Sequence, residues 1–123
     1  MRFTLESGTQ VNTVRAYSPQ ALRIGETVVR ASCILSAEQL ITEWPPAHFE
    51  ALEAAHLPAI FALEPQLVLI GTGSQQRFAP APIRAAFSAR GIGLEMMDLG
   101  AACRTFNILV HEDRRVVAAL FFA

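Results

Sequence analysis

The first part of the chain alternates apolar and polar positions. In residues 11–17, Val11 and Thr13 share one face and Asn12 and Val14 the other, the period of a β-strand. Ser18-Pro19 marks a turn, and residues 21–24 predict a second strand. Gly25-Glu26 separates it from residues 27–35, so a hairpin is expected. The run VVRASCIL is β-branched and mostly apolar, which predicts a central strand rather than an edge. Residues 40–44 predict one more short strand, stopped by Pro45-Pro46.

The period then changes. PAHFEALEAAHL sets Phe49, Leu52 and Leu57 on roughly one face of a helix, and Pro46 suits its first turn. Pro58 breaks that helix, and AIFALE predicts a further short helical turn. Three alternating units follow. Residues 67–70 are a continuous apolar strand. Residues 82–90 form a helix with Ile83, Ala86 and Phe87 inward, closed by Gly91. Residues 94–97 are a second strand, 101–111 a second helix with Ala102, Phe106, Leu109 and Val110 on one side, and 116–122 a final apolar strand. Strand, helix, strand, helix, strand with apolar strands is the pattern of a parallel sheet. The expectation is a single α/β domain over residues 1–123, an antiparallel layer followed by a βαβαβ unit.

Composition narrows the function classes. Apolar residues make up 52% of the 123 positions, enough for a thoroughly buried sheet or an additional apolar interface. The formal net charge of −1 supplies no field toward nucleic acid or an anionic membrane, so no nucleic-acid partner is expected. All basic residues are Arg, which excludes Schiff-base chemistry and a lysine phosphate clamp. Cys33 and Cys103 are far apart and form no CxxC, so reduced thiols are the default. The segment MRFTLESGTQ has no apolar signal core. The longest apolar run, residues 116–123, falls well short of the ~18 residues a bilayer span needs. A soluble, cytoplasmic protein without stable membrane insertion is expected. His48 and His56 have no acidic or thiol partner at metal spacing, so no metal and no cofactor are assigned.

The stretch LVLIGTGSQQRFAP resembles the opening of a nucleotide site, an apolar strand ending at paired glycines. Two physical features argue against that reading. Gln76 occupies the place of the third glycine of GxGxxG, and Pro80 and Pro82 delay the helix to near residue 81, too far for its free N–H groups to reach the glycines. What remains is a polar loop at the carboxyl end of a buried strand, the edge where ligands of open α/β sheets sit. N–H groups near Gly71 and Gly73, with the Thr72 and Ser74 hydroxyls, are a candidate anion cradle. The competing reading is a turn and close packing.

The loop after the second strand, MMDLGAACRTFN, is expected on the same edge. Arg104, Asn107 and His111 follow at spacings of three and four and line one helix face. Arg104 is a candidate for gripping a carboxylate or phosphate, and Asn107 for orienting it. Cys103 is the credible nucleophile if there is one, since a helix N-terminus lowers a thiol pKa. Its alternative is a small core residue. Asp98 reads as a helix cap.

GTGSQQRFAP followed by GIGLEMMDLGAACRTFNILVHEDRRVVAAL resembles the family that includes the mitochondrial respiratory complex I assembly factor 3 and the adipogenesis-associated single-domain protein. The matching positions are Gly71, Thr72, Gly73, Ala101, Ala102, Cys103, Arg104, Thr105 and Asn107. The family often has Thr where this chain has Leu99. The resemblance implies a three-layer α/β fold with a mixed central sheet. It implies no reaction and no catalytic residues, and the mitochondrial member points to a role in assembling a membrane-associated complex. Two functional expectations therefore stand. One is a non-catalytic, assembly-factor-like binding domain with a protein partner. The other is a small-molecule or anion-binding protein, thiol-dependent if catalytic, using Gly71, Thr72, Gly73, Ser74, Cys103, Arg104 and Asn107. A homodimer joined through an apolar strand or face is a third arrangement.

Overall fold

The computed structural model describes residues 11–123. The segment read above as lacking a signal core lies outside them. Among the described residues, eight strands form two sheets. Strands β1 (Val14–Tyr17), β2 (Leu22–Ile24) and β3 (Thr27–Val29) make a small antiparallel sheet in that order. Gly25, at φ +57, forms the turn between β2 and β3.

The central sheet is mixed. Strands β4 (Cys33–Ser36), β5 (Leu40–Ile41), β6 (Leu67–Thr72), β7 (Gly93–Met97) and β8 (Val116–Phe121) lie in the order β5-β4-β8-β6-β7. β6 is parallel to both β7 and β8, and β4 runs antiparallel to β8. This is the α/β fold that the strand–helix alternation predicts, and its mixed central sheet is the one the resemblance implies.

Both faces of the sheet are buried, and the strands show how. Along β8, Val116, Ala118 and Leu120 enter one core while Val117, Ala119 and Phe121 enter the other. β6 divides Leu69 from Val68 and Ile70 in the same way. A strand buried on both sides must read as continuously apolar, because its period of two serves two apolar environments. The first face is covered by helix α3 (Leu99–His111) together with the small sheet, through Phe106, Cys103, Ala102, Leu22 and Ile24. The second is covered by helix α2 (Ala81–Ser88), through Ile83 and Phe87, and by the irregular segment 44–61, through Trp44, Phe49, Leu52 and Ile60.

Three elements differ from the sequence pattern. Residues 27–35 are two strands in two sheets, not one central strand, with a break over 30–32 where Ser32 turns inward and donates its hydroxyl to the Pro46 carbonyl. The run is mostly apolar because each half reaches a core, through Val29 in one strand and Cys33 to Leu35 in the other. Segment 46–57 does not form an α-helix. It makes two 3-10 turns, Phe49–Ala51 and Ala54–His56, before the single-turn helix α1 (Pro58–Phe61). His56 Nδ1 accepts the Glu53 N–H at 2.9 Å and closes the second turn, while the indole of Trp44 donates to the His56 carbonyl at 3.2 Å. These local bonds satisfy groups that a continuous helix would have paired along its axis. Strand pairing in residues 40–44 extends only over Leu40–Ile41.

Candidate functional site

The parallel strands β6 and β7 end side by side, and their following segments are tied together. The Gly73 carbonyl accepts the Leu99 N–H at 2.8 Å. The Thr72 hydroxyl lies 2.5 Å from the Gln75 carbonyl and 3.2 Å from that of Met97, and accepts the Arg77 N–H at 3.1 Å. Gln76 donates to the Met96 carbonyl at 3.0 Å. The loop after β6 is therefore pinned onto the end of β7. Helix α3 begins at once, its first turn closed by the Asp98 carboxylate, which accepts the Ala101 N–H at 2.9 Å. Capping thus needs no hydroxyl at Leu99, whose side chain is buried.

A cleft of about 380 Å³ opens where these ends meet the β1–β2 turn. Tyr17, Ser18 and Pro19 form one wall, Gly73 and Ser74 another, and Leu99, Gly100 and Arg104 the floor and rim. Tyr17 is seated against Gly100 so closely that a Cβ there would lie 2.8 Å from its ring. A glycine in the first helical turn costs on the order of 1 kcal/mol against alanine, and here it admits the aromatic ring. One turn later Arg104 Nη1 donates to the Tyr17 hydroxyl, with the guanidinium carbon 6.0 Å from the ring centre.

Of the seven residues singled out from sequence, Gly73, Ser74 and Arg104 line this cleft. The other four do not. Gly71 lies within β6 facing α3, where a Cβ would sit 3.1 Å from Leu120 and 3.2 Å from the Ala102 methyl, so it is the close-approach point of helix and sheet. Thr72 is fully buried, its hydroxyl consumed by the loop bonds above. Asn107 turns toward the small sheet. Its Oδ1 accepts the Val14 N–H at 2.8 Å and its Nδ2 donates to the Val14 carbonyl at 2.9 Å, so the amide takes the place of a neighbouring strand. Cys103 faces the core, 1% exposed. Its thiol pKa is raised to about 12, chiefly by burial and secondly by the nearby Cys33, against a smaller lowering by Arg104. Cys33 is likewise pushed up to about 12 by burial. Helix position is overridden by desolvation, and both thiols stay protonated near neutrality.

Sequence reasoning did not find Tyr17, Pro19 or Gly100. Gly100 offered a local signal, a glycine at the start of a helix four positions before an arginine. Tyr17 offered none, since its meeting with Arg104 spans 87 positions of sequence. Among the described residues no group of three or more His, Cys, Asp or Glu is arranged to hold a metal, and no helix is long and apolar enough to cross a membrane.

This fold and cleft define a three-layer α/β domain with a shallow opening at the carboxyl end of its parallel strands. The chain belongs to the family described as protein of unknown function (DUF498/DUF598), whose model matches residues 14–121. It is 34% identical over 96 residues to the "13 kDa major membrane protein" of Francisella tularensis subsp. holarctica, covering 77% of this chain and 76% of that one. It is 32% identical over 110 residues to the NADH dehydrogenase [ubiquinone] 1 alpha subcomplex assembly factor 3 of Bos taurus, covering 87% of this chain but only 59% of the relative's length. The crystal structure of a Bordetella parapertussis protein superposes with a TM-score of 0.87 at 32% identity, covering 95% of this chain and all of that one.

Proposed function

We propose that this domain is a non-catalytic binding module that serves the assembly of a protein complex. The observation that carries the reading is the character of the cleft. Its lining is largely packing surface, Tyr17 on Gly100 beside Pro19 and Leu99, with the exposed Arg104 guanidinium and the helix-capping carboxylate of Asp98. Such a surface holds a partner by shape and a single charge-assisted contact. The thiols that would turn binding into chemistry face the core. The names of the assembly-factor relatives support the same reading.

The direct test is deletion of the gene followed by native-gel analysis of the cell's NADH dehydrogenase. The expected result is loss of the assembled enzyme, restored by the wild-type chain and not by the double variant Tyr17→Ala/Arg104→Ala. Fully assembled enzyme in the deletion strain overturns the reading.

The cleft volume also falls within the range of small-ligand pockets. This favours, second, an anionic small molecule held by Arg104 and the Gly73–Ser74 backbone. That alternative predicts a melting shift with small carboxylates or phosphate that Arg104→Ala removes. No shift with either anion excludes it.

A further inference from the structure

We propose that the outward face of the small sheet and the adjoining cleft form one docking surface for an acidic peptide segment of a partner protein. The proposal rests on the binding-module reading and names the partner's chemistry. The register places Ala16, Arg23 and Val28 opposite one another across β1, β2 and β3. All three are exposed, whereas Leu22 and Ile24 beside Arg23 point into the core. This row lines a second depression of about 230 Å³ that shares Tyr17 and Ser18 with the cleft. Val28 is 52% exposed and Tyr17 44%, so apolar surface continues from one depression to the other.

Charge identifies the occupant. Residues 11–32 hold Arg15, Arg23 and Arg30 against Glu26 alone, a net +2. Residues 33–123 hold six Arg against nine Asp and Glu, a net −3. The segment that forms the small sheet is thus net positive in a chain that is net negative, and Arg104 adjoins it through Tyr17. Arg15, Arg23, Arg30 and Arg104 are all exposed. Two local acids face this surface among the described residues: Glu26, in an exposed pair with Arg23 at 3.5 Å that a competing carboxylate can replace, and Asp98 in the cleft, whose carboxylate is engaged by the Ala101 N–H at 2.9 Å. Guanidinium groups beside apolar depressions match a segment that alternates carboxylates with apolar side chains. A bilayer surface shares the negative charge but is flat, and these depressions are concave. They fit individual side chains.

The test is selection of a random phage-displayed peptide library on the full chain, with affinities of the selected peptides measured by fluorescence polarisation. The expected peptides are rich in Asp and Glu beside Leu or Phe, and bind more weakly as salt rises. Binding is expected to fall about tenfold or more in Arg23→Ser/Arg104→Ser, and likewise in Val28→Asp, which keeps both arginines. Circular dichroism identifies any variant that fails to fold, and the other then gives the reading. Selection of no peptide, of peptides without acidic residues, or of peptides indifferent to the folded variants overturns the proposal. So does binding to phosphatidylglycerol vesicles in place of peptides. Peptides that bind elsewhere sink this surface and leave the binding-module reading standing. Normal complex assembly in the deletion strain sinks that reading whatever this surface binds.

Discussion

The two faces of the central sheet are covered by different means. On one side, α2 and the irregular segment 44–61 bury an aromatic cluster. Trp44 lies 5.3 Å from Phe121 and Phe49 5.9 Å from it, and Phe61 lies 5.1 Å from Phe87, all centroid to centroid. On the other, the 13-residue helix α3 and a small sheet share the cover and are joined by polar contacts, Asn107 to Val14 and Arg104 to Tyr17. The first cover is held mainly by shape and area, with polar ties such as Ser32 to Pro46 at its edge. The second is held partly by hydrogen bonds between separate elements, and the cleft lies at its seam. A composite cover leaves a joint, and a joint can present side chains without disturbing the core beneath.

The largest expected effect tests the aromatic side. Phe87 is fully buried, and Phe87→Ala should cost about 3–5 kcal/mol, read as a lower urea midpoint. Peptide binding by the molecules that remain folded should not change. A loss of binding equal to that of Arg104→Ala would mean that the two faces are not independent.

Alkaline unfolding tests the helix side. Folded thiols with pKa values of about 12 meet unfolded thiols near 9.0. The unfolded chain releases these protons first, so the stability they contribute is whole below about pH 9 and is lost as pH climbs toward 12. The loss should reach on the order of 2–3 kcal/mol per thiol by about pH 11. With no Lys and one Tyr in the chain, few other side chains titrate in this window. Urea unfolding between pH 8 and 11 should show the decline, reduced in Cys103→Ala. A decline that Cys103→Ala leaves unchanged would show that Cys103 is open to water, and a flat profile that both thiols are.

Asn107→Ala tests the seam itself. It strips partners from both the Val14 N–H and carbonyl, and should cost about 1–3 kcal/mol. Hydrogen exchange at the Val14 amide should accelerate while that of β8 is unchanged. Uniform acceleration would make the small sheet inseparable from the central one. The smallest effect belongs to Arg104→Ala. An exposed arginine bonded to one hydroxyl should change stability by no more than about 0.5 kcal/mol. A thermal melt that drops by many degrees would make Arg104 a structural tie.

How far the fold was legible depends on the range of the forces involved. The apolar runs at 67–70 and 116–122 named their strands, because burial on both faces leaves no polar alternation to confuse. Asp98, Gly91 and Pro82 marked the helix ends through interactions within a few residues. Segment 46–57 was misleading. Its apolar spacing fits a helix, yet its turns are closed by the Glu53–His56 bonds and by Trp44, which sequence period does not register. In the site, Gly73, Ser74 and Arg104 were legible as chain ends of the parallel unit. Gly71, Thr72, Cys103 and Asn107 share the same motifs but point elsewhere, and motif membership does not say which way a side chain faces.

The amino-acid sequence by itself determined the alternating strands and helices, the missing lysine chemistry and the place where the parallel strands end. These follow from local periodicity and residue chemistry. Tertiary structure alone decided that residues 27–35 divide between two sheets, that Cys103 is dry and that Tyr17 crosses 87 positions to meet Arg104. Those outcomes depend on which surfaces are brought together, and burial and long-range hydrogen bonding exist only once the layers have packed.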